Sequence, residues 1–129
     1  MDHPYRSPFC DVDYIQALNI AFVTWKKFCR GGDYRNALRH ALEIMRTHEN
    51  CQYVADTRQG FENEEADTRW VFDVFLPEAA QTGCKKIIFI IDNDHSLKEE
   101  LEGQAAQLRK AFEVHYCFGM DEVEEILGL

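Results

Sequence analysis

The five cysteines (Cys10, Cys29, Cys51, Cys84, Cys117) contain no Cys-x-x-Cys pair, so the spacing that opens zinc ribbons and dithiol redox sites is missing. No His-x-x-x-His or His-Glu-x-x-His pattern joins His3, His40, His48, His95 and His115, which removes the commonest zinc signature. Long apolar runs are absent too. Ile87-Ile88-Phe89-Ile90-Ile91 spans five residues, against the roughly 20 that a bilayer-crossing helix needs. Positive charge is scarce, with 14 Lys and Arg against 23 Asp and Glu and a formal net charge of −9. A phosphate backbone repels such a chain, and the adjacent lysines, Lys26-Lys27 and Lys85-Lys86, form no stripe to override it. Nucleic acid and membrane insertion are therefore not expected. The N-terminus, Met1-Asp2-His3-Pro4, has no basic segment leading into an apolar stretch, and a cytoplasmic location is the expectation. Acidity leaves a basic protein partner open, or serves solubility alone.

What is present fits one domain. A chain of 129 residues, 46% of them hydrophobic, is long enough to bury roughly two thirds of the surface its unfolded form exposes. The cysteines read as reduced, structural residues, with Cys51, Cys84 and Cys117 in expected strands, where a free thiol packs as a small hydrophobe. β-Rich residues at 9–13 and 18–25 predict an antiparallel hairpin. The second of these strands is apolar on both faces, as an interior strand is. Gly31-Gly32 then interrupts the chain, and Asp33 is placed to cap a helix. Tyr34, Ala37, Leu38, Ala41, Leu42 and Met45 recur with the rhythm of one helical face, ending near His48.

Residues 51–57 read as a buried strand that stops abruptly in Asp56-Thr57-Arg58. A polar loop over 59–63 follows, then a second helix with Trp70, Val71, Val74 and Phe75 on its apolar side. Pro77 lacks a donor and clashes with the preceding turn, which predicts a kink or two short helices before Gly83 ends the segment. Residues 84–92 predict a second buried strand of a sheet covered on both faces. Ser96-Leu97-Lys98-Glu99 has the pattern of a capping box, opening a helix lined by Leu97, Leu101, Ala105 and Leu108. Residues 112–118 predict a last strand, and Asp121 the cap of a terminal helix carrying Val123, Ile126 and Leu127. The order β-β-α-β-α-β-α-β-α argues an α/β fold, a mixed sheet of about five strands with helices packed on it.

The residues now in view resemble a known family. A tryptophan ends the early strand (Trp25), a helix starts at Asp33, and Ala55-Asp56-Thr57-Arg58 follows. Trp70, Pro77, Gly83 and Lys86-Ile87 continue the pattern. In this order and spacing, from about Phe9 to Leu129, the chain resembles the STAS-like proteins, specifically the SpoIIAA-like group of small bacterial proteins. That resemblance implies a single STAS-like domain. STAS domains include anti-sigma-factor antagonists, in which a strand ends in Asp followed by a phosphorylatable Ser or Thr at a helix start. Asp56-Thr57 is similar to that junction. The chain departs from the antagonists in continuing with Arg58-Gln59-Gly60 and an acidic loop, where they carry Ser-Gly and a short apolar turn. A related resemblance, to lipid-binding domains, implies an apolar ligand.

Each candidate site has two readings. Thr57 is a regulatory phosphosite, where about −1.5 to −2 charges would arrive beside a helix start with Arg58 at hand to pair with them. Alternatively it turns the chain while Asp56 and Arg58 form a structural ion pair. Asp56 and Arg58 with the loop acids Glu62, Glu64, Glu65 and Asp67 offer a cation a charge run, or the loop is a solvated segment. Asp92-Asn93-Asp94-His95 opens like a calcium loop, yet Leu97 and Gly103 stand where the sixth-position Gly and twelfth-position Glu belong. Cys117 with His115 or His95 would be a nucleophile pair, although residues two apart on a strand share a face without meeting closely. Phe61, Trp70, Phe72 and Phe75 form an apolar pocket wall, a dimer surface, or ordinary packing. The expectation is a non-enzymatic module with no cofactor and no metal. It would act through Asp56, Thr57 and Arg58 on a protein partner or a second copy; the alternative is a carrier of a small apolar ligand near Trp70 and Phe75.

Overall fold

The alternating residues of the N-terminal quarter build three antiparallel strands. In a computed structural model, which describes residues 4–59, 64–92 and 108–129, these are β1 (Tyr5–Arg6), β2 (Cys10–Ile15) and β3 (Ile20–Trp25). Helix α1 (Gly32–Thr47) leads to β4 (Gln52–Asp56). A broken helical segment, α2 (Glu65–Trp70), a π turn (Val71–Phe75) and α3 (Leu76–Gln81), leads to β5 (Lys86–Ile90). Strand β6 (Glu113–Cys117) and α4 (Met120–Leu127) follow. The sheet runs β1-β2-β3-β4-β5-β6 in chain order, with β3 through β6 mutually parallel. It therefore has six strands where the sequence predicts about five. The addition is β1, paired through Tyr5↔Val12 and Arg6↔Asp11, which is too short to show a period.

Alternation sorts the strands onto two cores. Val12, Val23, Tyr53, Ala55, Ile87 and Phe89 face α1 and the broken helix, where Leu38, Leu42, Met45, Phe75 and Leu76 meet them. Ile20, Val54, Ile88, Ile90 and Cys117 face the other way, under Val123 of α4. Each large apolar side chain so buried contributes roughly 1.5–3 kcal/mol relative to exposure. All six residues read as the apolar face of α1 are buried.

The helix ends differ from expectation in one respect. Asp33 and Asp121 both lie inside the first turn of their helices, whereas Gly31 and Gly119 occupy the cap positions with no side-chain bond. Asp33 and Asp121 thus act on the helix dipole and cap nothing. The break at Pro77 takes the form of the π turn. The Leu76 N–H bonds to the Val71 carbonyl five residues back, and Pro77, which cannot donate, follows directly at the start of α3. The helix expected from Ser96, the Asp94-His95 turn and Phe61 lie outside the described residues.

Candidate functional site

Strand β4 ends at Asp56, and the next two residues form a closed corner. The Asp56 carboxylate is nearly buried and accepts three bonds from Arg58: from its backbone N–H at 3.1 Å, Nε at 3.0 Å and Nη2 at 2.7 Å. Asp favours such local bonds because its short side chain reaches backbone two residues on, and the guanidinium fork matches the two carboxylate oxygens. The bond to Asp56 raises the Arg58 pKa above its ordinary value. The Arg58 side chain is nonetheless 43% exposed, so a rigidly held cation faces solvent. Thr57 points inward. Its hydroxyl and its N–H both donate to the Ile90 carbonyl, at 2.8 and 2.9 Å, and the residue is 1% exposed. A phosphoryl donor reaches that hydroxyl only if the β4–β5 junction opens.

Around the corner the sheet register sets Thr24 beside Asp56 and Asp11 beside Thr24. The Asp11 carboxylate stands 2.8 Å from Lys26 Nζ, so the carboxyl ends of β3 and β4 carry two separate ion pairs. Two large apolar residues follow the carboxyl ends of strands in the same sheet: Phe28 after β3 and Phe118 after β6 are 45% and 50% exposed. The Cys117 thiol lies beneath, donating to the Gly119 carbonyl at 3.6 Å, its pKa raised chiefly by burial. All five cysteines are free and buried. Burial pushes the Cys29 and Cys84 thiols up to about 11 and Cys10 further. A thiol held protonated is a poor nucleophile. His115 engages Glu113 at 2.6 Å, and this bond lowers the Glu113 pKa.

Trp70 and Phe75 belong to the opposite face of the sheet from Asp56, and they separate from each other in role. Phe75 is buried, edge-on to Tyr53 at 5.6 Å. It helps to wall a cavity of about 40 Å³ together with Leu38, Tyr53, Phe72, Phe89 and Leu108. That volume holds on the order of three water molecules. The Trp70 ring is not part of the wall; it lies under the guanidinium groups of Arg35 and Arg39, at 5.6 and 5.3 Å. Asp67, one of the loop acids in sequence, is 2% exposed and accepts from the Gly31 N–H and from Arg35 Nε, both at 2.9 Å. Its three-residue spacing from Trp70 is the signal that places both on the side of α2 facing α1. Among the described residues no three of His, Cys, Asp and Glu converge to hold a metal ion, and no helix is long and apolar enough to cross a membrane.

No protein-family profile, curated protein or solved structure matches this chain.

Proposed function

We propose that this chain is a non-catalytic regulatory or protein-interaction module of the STAS type, close to the SpoIIAA-like group, acting in the cytoplasm through the carboxyl end of its sheet. The observation that carries the reading is the Asp56–Arg58 corner. A nearly buried carboxylate takes three bonds from one arginine and holds that cation half-exposed at the carboxyl end of the sheet, where Phe28 and Phe118 are also exposed. Arginine and aromatic residues are the types enriched in interface cores. The carboxylates there already have cations and the thiols are buried, so the same groups offer no free base or nucleophile. A switch at Thr57 would act by breaking the two bonds to Ile90 and loosening the corner. The partner is another protein or a second copy of this chain.

A photo-crosslinking residue in place of Phe118, compared with one in place of Glu49 at the other end of the sheet, tests this in the native cells. The expected result is one crosslinked product, a named protein or a dimer, from position 118 alone, lost when Arg58→Ala is added. Equal crosslinking from both positions, or a product indifferent to Arg58→Ala, would sink the proposal.

The cavity walled by Phe75 favours a second reading, a carrier of a small apolar ligand. At about 40 Å³ this cavity alone is too small for an acyl chain, so loading there would require the helical layer to part from the sheet. Extraction of the native protein with organic solvent would recover a stoichiometric apolar compound on this reading, and none otherwise.

A further inference from the structure

We infer that α4 is a releasable cover over the second apolar face, pinned in place by Lys86. The helix has only eight residues, well under the roughly 12–15 at which an isolated helix becomes even marginal in water. Its helicity therefore depends on being docked. Docking rests on a single fully buried side chain, Val123, helped by the half-buried Met120, Ile126 and Leu127.

The end of the helix makes the dependence sharper. The last turn has no basic residue, while Glu124 and Glu125 place negative charge where the helix dipole is already negative. Gly128, with φ of 82°, supplies the left-handed cap; its N–H and that of Leu129 bond back to Glu124 and Glu125. The carbonyl of Ile126 is met from outside the helix. Lys86 Nζ donates to it at 2.8 Å from the start of β5, and brings a positive charge to this terminus. Glu113 holds the same ammonium from the other side at 3.8 Å. Position 86 is thus where the sheet grips the helix end. On the other side of α4, Gly119 is fully extended, with no side chain to restrict it.

Under the cover lie Ile20, Val54, Ile88, Ile90 and Cys117, each 1% exposed or less. Release of α4 turns them into a continuous apolar strip while the first core, on the opposite face, stays closed. The cysteines report this difference. Cys117 belongs to the covered strip, whereas Cys10, Cys29, Cys51 and Cys84 all belong to the first core.

The test is native-state alkylation of the full chain with iodoacetamide, followed by peptide mass mapping of all five cysteines. Lys86→Met should speed labelling of Cys117 by about tenfold, the size expected for losing a hydrogen bond to a charged group. The other four thiols should keep their wild-type rates, and Lys86→Arg should label like wild type. Glu113→Gln, which removes the second partner of Lys86 but leaves the grip on Ile126, should not accelerate Cys117. Val123→Ala provides a second route to release and should expose Cys117 with the same selectivity. If Cys117 labels in step with the other four in both Lys86→Met and Val123→Ala, α4 leaves only when the whole domain unfolds, and the inference fails. An unchanged Cys117 rate in both variants overturns it equally.

Discussion

At Asp67 a carboxylate is taken out of water and given two donors, the backbone of Gly31 and the guanidinium of Arg35. Both of its oxygens are engaged, and the effect is to tie α2 to the start of α1. Removing it strands the Gly31 N–H and leaves Arg35 without its carboxylate. Asp67→Ala should therefore lower stability by about 2 kcal/mol, less than the full cost of breaking a buried pair because Arg35 is one-third exposed. A urea midpoint shift with unchanged slope is the measurement. Of the candidate residues, the Asp56–Arg58 ion pair was legible at this scale as one of the two readings of a buried run ending in Asp-Thr-Arg. The direction of Thr57 was not legible, because a hydroxyl that turns inward needs an acceptor on a neighbouring strand. That acceptor, the Ile90 carbonyl, is 33 residues away in the chain.

Among the elements, α1 is the one whose sequence and structure agree most fully, and its entry depends on a single backbone geometry. Gly31 sits at φ of 59° and ψ of −132°, a region that residues with a Cβ rarely adopt. Nothing lies within 4 Å of the position a Cβ would take, so the cost of Gly31→Ala is conformational strain without a clash. A loss of about 1–2 kcal/mol is expected, measurable by thermal or urea unfolding. The Asp67 bond to the Gly31 N–H should weaken with it, so Gly31→Ala and Asp67→Ala should be less than additive in the double variant. Elements with a period of 2.0 or 3.6 over several residues, such as β3, β4, β5 and α1, declare themselves. The two-residue β1 has no period to show. The π turn escapes for a different reason: Pro77 announces a break, but the sequence does not say that the turn before it will widen.

On the scale of the whole molecule the two cores differ in how they are closed, and the thiols in them set a limit on alkaline tolerance. Unfolded, Cys29 and Cys84 ionise near 9.0; folded, burial holds them protonated to about 11. Their contribution is fully present below pH 9 and is lost as the pH rises towards 11, because the unfolded chain then releases protons the folded one retains. The urea midpoint should fall across that window, and Cys84→Ala should flatten part of the fall. An α/β class and a sheet covered on both faces were readable from alternation and apolar runs. Which helix covers which face was not, since that follows from the hand and direction of the crossovers.

The sheet order also has a meaning in time. Each strand lies beside the one made just before it, so a chain emerging from the ribosome at about 5–20 residues per second can add strands one after another to an edge already built. The first core can close progressively as α1 and the broken helix appear. The second face must wait for α4, so a nascent chain carries a bare strip of isoleucine and valine until α4 is made. That interval is when this protein is most open to aggregation, and when a chaperone has the most to hold.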